Sequence, residues 1–494
     1  MLFNSTAFIL FFPLVTVLFF IIPHKFRWAL LLMASCIFYA WFVPVYLVIL
    51  FALIAVDYAM GILIENLRSK GMNARKYLMV SILAMCTFLF VFKYFNFFST
   101  NLSVLAGFIG LHYPPKLLGL ILPIGLSFHT FQSLSYVIEV YKGRQKAERH
   151  FGIYALYVMF YPQLVAGPIE RPYNLLPQFH EKQSLDYQRV ASGLKLMVWG
   201  MCKKVVIADR LAFFVNQVFG NVPACQGPEL MLGILFFSFQ IYCDFSGYSD
   251  IAVGSARVMG FRLTNNFNYP FFSRSVTEFW RCWHISLFSW LKDYIFIPLC
   301  RSRCLKGQWR VNIFLTFVIS GLWHGAAWTY VAWGAFTGGC YILDVWSRDH
   351  RKKIHAFIGL GENNRFLELC QVLATFSVFN FSVIFFRAKD LGDSVFIIKH
   401  LLKGWPGCIY NIFDVLAARL GVGLPELFVS MALIGGLVLS DLLKKRWNEK
   451  CIFANGPIWI QWSYYYLIVL AGVYVAGTII LGQQKQSPFI YFQF

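Results

Sequence analysis

The chain has 494 residues, of which 59% are hydrophobic, and only 13% are charged. So low a charged fraction excludes a single soluble core, and the composition also excludes a disordered, collagen-like or small disulfide-rich chain. Long unbroken apolar runs argue against an outer-membrane β-barrel, whose strands alternate apolar and polar residues. The sequence therefore predicts an all-α polytopic membrane protein.

Twelve apolar segments follow one another along the chain, and the longest can hold two helices. We expect about 11 spans, because a helix of ~20 residues crosses a bilayer core of about 30 Å. No soluble domain interrupts them, so we predict one membrane domain over residues 1–494, with a motif-bearing core at about 117–390. The segments are residues 7–22, 28–42, 45–63, 77–98, 117–141, 151–165, 194–219, 230–260, 313–345, 367–386, 427–443 and 458–481.

Basic clusters separate these segments and give a net charge of +20. In a soluble protein this excess would suggest nucleic acid, but short basic loops between apolar runs are held in the cytoplasm next to anionic lipid. We therefore predict membrane lipids and no nucleic acid as partners. The clusters are residues 68–76, 142–149, 301–310, 348–353 and 444–450.

One apolar segment delivers Asp244, Ser246 and Tyr248 within five positions, together with Gly247. A charged side chain at a bilayer centre costs about 2.5–3.5 kcal/mol, so it usually faces a cavity or a partner. Gly247 indicates a close backbone approach or a helix break. We predict that these polar side chains line a substrate site.

A second group combines Glu278, Arg281 and His284 with the neighbouring Trp280. Their spacing of three predicts that one helix carries all three polar side chains on one face. The nearby cysteines form C-x-H and C-x-x-x-C patterns, which are not a standard zinc spacing, so no metal site is predicted.

His324 is the only Asp, Glu, Lys, Arg or His between Arg310 and Asp344, and Trp323 precedes it. A lone intramembrane histidine can be a neutral ring bonded to backbone or a helix-packing contact. Its ordinary pKa of about 6.5 also suits a general base near neutral pH. The spacing alone leaves these alternatives open.

Other chemistries lack their signatures. The chain has no H-E-x-x-H, no G-x-S-x-G elbow, no Walker loop and no G-x-G-x-x-G. Asp244 and Asp250 are six apart and fall on different helix faces, which argues against a shared Mg²⁺ site.

Motifs along about residues 1–390 resemble the membrane-bound O-acyltransferase (MBOAT) family, and within it the alginate O-acetyltransferase-like bacterial branch. The motifs are LPIGLSFHTFQSLSYVIEVYKG (122–143), LVAGPIERP (164–172), KKVVIADRL (203–211), DFSGYSDIAVG (244–254), TEFWRCWHISLFSWLKDYIFIPL (277–299), SGLWHGAAW (320–328) and FSVIFFRA (381–388).

The resemblance implies a ring of tilted helices, with re-entrant or interfacial helices, around a central funnel in the bacterial inner membrane. It implies transfer of an acetyl group from a cytoplasmic thioester, acetyl-CoA, for O-acetylation of an extracytoplasmic polysaccharide, with no bound cofactor and with a periplasmic SGNH-type partner. The family histidines fall on His324 and His284, which we predict to be catalytic, with His324 as the general base. The predicted substrate-binding residues are Asp244, Ser246, Tyr248, Glu278, Trp280, Arg281 and Trp323.

Two other classes stay open from the residues. A transporter or flippase also needs polar groups among apolar helices, and a structural subunit of a secretion complex needs no chemistry. The identity of the polymer, and the choice between CoA and a carrier protein as donor, are not fixed by the sequence.

Overall fold

The computed structural model describes residues 1–120, 123, 125–165, 167–357, 364–405, 412–421 and 423–446, with isolated residues near the C-terminus. Every regular element in these ranges is a helix. The predicted all-α class is confirmed. A helix satisfies its own backbone hydrogen bonds, which apolar segments require in lipid.

Residues 1–197 and 248–265 form a first compact unit. A π-helical turn, Phe90–Tyr94, joins its fourth and fifth helices. The helices that begin in this part of the chain are α1 Thr6–Ile21, α2 His24–Ala40, α3 Val45–Ser69, α4 Arg75–Leu89, α5 Phe95–Phe108, α6 Leu126–Lys142, α7 Phe151–Met159, α8 Pro172–His180 and α9 Tyr187–Met201.

Residues 198–247 and the described residues within 266–490 form a second compact unit. Two π-helical segments, Cys202–Ala208 and Lys292–Phe296, and two short 3₁₀ turns, Val222–Ala224 and Pro270–Phe272, connect its helices. The helices that begin in this part of the chain are α10 Asp209–Gly220, α11 Gly227–Met259, α12 Val276–Cys282, α13 Ile285–Leu291, α14 Ile297–Arg301, α15 Trp309–His324, α16 Trp328–Phe357, α17 Arg365–Arg387, α18 Leu391–His400, α19 Ile412–Arg419 and α20 Leu424–Arg446.

Five helices of the described chain are long and apolar enough to cross a membrane, and α1 is a shorter apolar helix. This supports the multi-pass class, while the total of about 11 spans stays a prediction. The predicted segment 458–481 lies almost entirely outside the described residues, and the single-domain prediction is also untested. The five are Val45–Ser69, Arg75–Phe108, Gly227–Met259, Arg365–Arg387 and Leu424–Arg446.

One predicted segment differs in detail from the helix observed, and another holds the two helices that its length allows. The segment 117–141 was expected to be helical throughout, but α6 begins only at Leu126, and residues 111–120 have no regular structure. Pro123 and Gly125 explain part of this, because proline lacks the N–H that a helix needs and Gly125 takes a left-handed conformation with φ 76° just before α6. The segment 313–345 holds two helices, as its length allows, because the chain turns between α15 and α16.

Helices α15 and α16 pack with their backbones close together. A Cβ atom added at Gly334 would lie 2.5 Å from the carbonyl oxygen of Phe317, and one at Gly321 would collide with the carbonyl oxygen of Tyr330. Small residues allow such an approach, which is typical of helix pairs in membranes. This hairpin fixes the position of His324, the last residue of α15.

Candidate active site

The corner between α12 and α13 places His284. Ser275 caps α12, and the carboxylate of Glu278 accepts the backbone N–H of Arg274 at 2.8 Å, so this glutamate serves the helix start. The helix ends at Cys282, and His284 takes a left-handed conformation with φ 45°. A non-glycine residue in this region is uncommon and indicates a constrained turn.

Asn266, in the loop before α12, stabilises this corner through hydrogen bonds. Its carbonyl oxygen accepts the N–H of Ile285 at 2.9 Å, and its side-chain oxygen accepts the N–H of Ser286 at 3.2 Å. Both N–H groups belong to the first turn of α13, where backbone N–H groups have no hydrogen-bond acceptor within their own helix. Asn266 is therefore a site-forming residue that the sequence reasoning missed.

The expectation that Glu278, Arg281 and His284 share one helix face is wrong. The helix stops before His284, whose ring is fully buried, whereas Arg281 is exposed and Glu278 is half-buried. A spacing of three residues places side chains on one face only of a continuous helix, and the left-handed turn at His284 changes the direction of the chain.

The His284 ring is enclosed by aromatic side chains. The Phe245 ring meets it edge-on at 4.5 Å between centroids, and the Trp323 ring lies at 6.1 Å. His284 lies in the corner between two short helices, outside the candidate spans, and its burial lowers its pKa to about 3. The imidazole is therefore neutral at physiological pH.

His324 lies in a second aromatic enclosure and is 6% exposed. Its ring centroid is 4.8 Å from Trp323, 5.2 Å from Trp333 on α16 and 5.1 Å from Phe386 on α17. Trp323 thus contacts both histidine rings. The structure brings the two predicted catalytic histidines next to one indole, and it adds Trp333 and Phe386, which the sequence reasoning did not select.

Asp244 and Ser246 belong to a buried ionic network. The Nζ atom of Lys204 lies 2.5 Å from an Asp244 carboxylate oxygen and 2.8 Å from one of Asp209. Lys203 donates to the Ser246 hydroxyl at 2.8 Å. The two lysines were visible in the motif at 203–211, and their place in an apolar run was the signal that could have identified them.

Gly247 allows this network to form. A Cβ atom there would lie 2.6 Å from the carbonyl oxygen of Gly200, so the close backbone approach predicted for Gly247 is confirmed. A helix break is not observed, since α11 runs unbroken through this position. The π-helical segment Cys202–Ala208 directs both lysines at α11, and such segments often occur at functional sites.

Tyr248 belongs to the first unit, where its buried ring stacks on Phe3 at 4.5 Å between centroids. Its predicted grouping with Asp244 and Ser246 in a substrate site stays a prediction.

Trp280 and Arg281 line a cavity of about 380 Å³ in the second unit. Trp280 is part of the lining, and its ring centroid lies 5.7 Å from that of Trp333. Trp333 in turn contacts His324. The described residues contain no group of three His, Cys, Asp and Glu side chains arranged to hold a metal ion. The second unit therefore contains two buried imidazoles in aromatic surroundings and, beside them, a cavity whose lining includes the cations Arg281 and Lys292.

An all-helical membrane protein with buried histidines fits a membrane-embedded group-transfer enzyme. The family model "MBOAT, membrane-bound O-acyltransferase family" matches residues 150–358, which include both histidines. A "Probable alginate O-acetylase AlgI" of Pseudomonas putida is 34% identical over the full length of both chains. The "Peptidoglycan O-acetyltransferase" of Helicobacter pylori is 32% identical over 94% of this chain and 91% of its own.

A "Teichoic acid D-alanyltransferase" of Streptococcus thermophilus is 31% identical over 46% of this chain and 57% of its own. The chain belongs to the membrane-bound O-acyltransferase family. The predicted family, the multi-pass membrane character and the activity as an O-acyltransferase are confirmed. The acyl donor, the roles of individual residues and the polymer are matters for proposal.

Proposed function

We propose that this protein moves an acetyl group from a cytoplasmic thioester, acetyl-CoA, for O-acetylation of an extracytoplasmic polysaccharide at the bacterial inner membrane. The observation that carries the proposal is the pair of buried imidazoles, His284 and His324, that both contact the Trp323 ring. The names of the relatives aligned over nearly the whole chain support acetyl as the group and a polymer as the acceptor.

In this proposal His324 is the general base. It accepts the proton of an acceptor hydroxyl as the hydroxyl oxygen attacks the thioester carbonyl. The new C–O bond forms, the C–S bond breaks, and the leaving thiolate takes up a proton. The enclosure by Trp323, Trp333 and Phe386 keeps bulk water from competing with the hydroxyl.

His284 is a positioning residue in this scheme. Its buried neutral ring packs against Trp323 and fixes the indole that also contacts His324. Asp244 and Ser246 fix α11 against the π-helical segment, and Phe245 between them in the chain touches His284. A periplasmic SGNH-type partner would complete transfer to the polymer.

The test is His324→Gln, which keeps a polar side chain of similar size but removes the base. We expect incorporation of labelled acetate into the polysaccharide to fall by about 10²–10⁴-fold, the usual contribution of general base catalysis. The control is His350→Gln at the exposed end of α16, which leaves incorporation unchanged. Full acetylation by a normally inserted His324→Gln protein would refute the assignment.

A transporter or flippase is separated from an enzyme by a second measurement. Membrane vesicles containing the wild-type protein are supplied with labelled acetyl-CoA or with labelled lipid-linked sugar. Acetyl transfer without net uptake supports the proposed function, and uptake without transfer to any hydroxyl would support transport.

A further inference from the structure

The cavity beside Trp280 has a mostly apolar lining. It lies among α12, α13, α15, α16 and the π-helical segment Lys292–Phe296, and its volume is about 380 Å³. Trp280, Phe288 and Phe317 form the aromatic part of the wall. Small-molecule sites typically occupy ~300–1,000 Å³ and are lined in this way.

Two cations, Arg281 and Lys292, are the charged side chains of the lining, and both are exposed. In the part of the chain that the structure describes, neither forms an ion pair with a carboxylate, whereas the nearby Arg274 pairs with Glu368 and Arg351 with Asp344. Two positive charges that form no ion pair with a described carboxylate therefore line a mostly apolar cavity.

The cavity extends away from His324, although Ile285, which lines one part of it, directly follows His284 in the chain. Ile313, in the first half of α15, and Phe317, at its middle, both line the cavity. The helix begins next to the basic cluster at 301–310, and His324 ends it. At ~1.5 Å per residue, Ile313 and His324 are about 16 Å apart along the axis. The site is therefore near the end of α15 that we predict to face the cytoplasm.

We propose that this cavity binds an anionic phospholipid, with the phosphate between Arg281 and Lys292 and part of an acyl chain against Trp280, Phe288 and Phe317. Basic pockets between membrane helices on the cytoplasmic side suit such head groups. Acetyl-CoA carries two acyl carbons on a pantetheine arm with polar amide groups, whereas a phospholipid supplies a long, wholly apolar chain that matches the mostly apolar lining. The ligand assigned here to Arg281 thus differs from the substrate predicted for it from the sequence.

The test uses the full-length protein, purified in neutral detergent and stripped of lipid. Titration with phosphatidylglycerol is followed by tryptophan fluorescence, because Trp280 forms the wall, and by native mass spectrometry. We expect at least tenfold weaker binding in Arg281→Gln/Lys292→Gln and in Ile313→Trp, which fills the cavity but keeps both cations. The matched control Arg303→Gln, an exposed cation outside the lining, binds as the wild type does.

Further ligands identify the source of the phosphate. We expect phosphatidylcholine to bind weakly, because it has no net negative charge. We expect inorganic phosphate to bind weakly, because it has no acyl chain to fill the apolar part of the cavity. Equal phosphatidylglycerol binding by wild type and both cavity variants would overturn the proposal. Displacement of the lipid by acetyl-CoA, dependent on Arg281 and Lys292, would also overturn it and make the cavity the donor site. If the double variant fails to fold, Ile313→Trp decides alone.

Discussion

At the scale of single residues, the two histidines show what sequence spacing can and cannot predict. Their selection as candidate catalytic side chains needed only their apolar context and the motifs around them. Their surroundings needed the fold, because Trp333 and Phe386 reach His324 from two other helices, and Asn266 reaches the His284 corner from a preceding loop. A pattern along the chain does not contain such long-range contacts.

The depressed pKa of His284 makes the fold sensitive to acid. In the unfolded chain its pKa is near 6.5, and in the folded protein it is about 3. Between these values the unfolded state binds more protons, so the free energy of unfolding is highest above about pH 6.5 and falls as the pH drops toward 3. His284→Gln removes this titrating group and with it the part of the pH dependence of the unfolding free energy that the imidazole causes.

Thermal unfolding of purified protein between pH 5 and 8 checks this. We expect the melting temperature of His284→Gln to fall less steeply below pH 6.5 than that of the wild type. The exposed His350→Gln variant is the control and keeps the wild-type slope. Parallel curves for all three proteins would show that the His284 ring is not buried as described.

At the scale of elements, the segment 313–345 illustrates the limit of hydropathy. Its length predicted room for two helices, but the close contact of α15 with α16 depends on which glycines face each other. Gly321 and Gly334 lie against the opposite backbone, whereas a Cβ atom at Gly339 would meet nothing within 4 Å. Composition alone does not distinguish these three positions.

Alanine substitution tests this packing. Gly334→Ala has to push α15 and α16 apart, so we expect a loss of about 1–3 kcal/mol, typical of overpacking. Gly339→Ala, on the same helix in open space, should be neutral or gain up to ~1 kcal/mol from better helix propensity. Denaturant unfolding in detergent measures both, and equal effects would contradict the close approach.

Removing Lys204 from its ionic network should lower the free energy of unfolding by more than Gly334→Ala does. Lys204→Met leaves Asp244 and Asp209 buried without their cation, and breaking a buried pair on one side typically costs about 3–5 kcal/mol. Lys204→Met/Asp244→Asn should recover part of the loss, because one uncompensated charge is removed as well. A double variant no more stable than the single one would show that the two groups do not interact.

At the scale of the whole molecule, the membrane class followed from composition and the family from its motifs. The positions of the spans did not follow as directly, because length and hydropathy do not show where α6 begins or that α12 and α13 are short. The polymer cannot be read from this chain at all if a partner recognises it, since no residue here would then carry that information.

The orientation of the basic loops is testable with a native side chain. Cys304 is exposed within the cluster 301–310, which we predict to be cytoplasmic. A membrane-impermeant maleimide should label it in inside-out vesicles but not in intact cells, and Cys304→Ser identifies the labelled site. Labelling in intact cells would invert the predicted topology of this loop.

The π-helical segment Cys202–Ala208 has a consequence for how this protein can evolve. A π turn accommodates one residue more than an α turn, and each residue of an ordinary helix rotates the next by about 100°. Deleting a single residue here would swing Lys203 and Lys204 away from Ser246 and Asp244 while leaving the helix itself intact. Substitutions in this stretch should therefore be tolerated more readily than any change in its length.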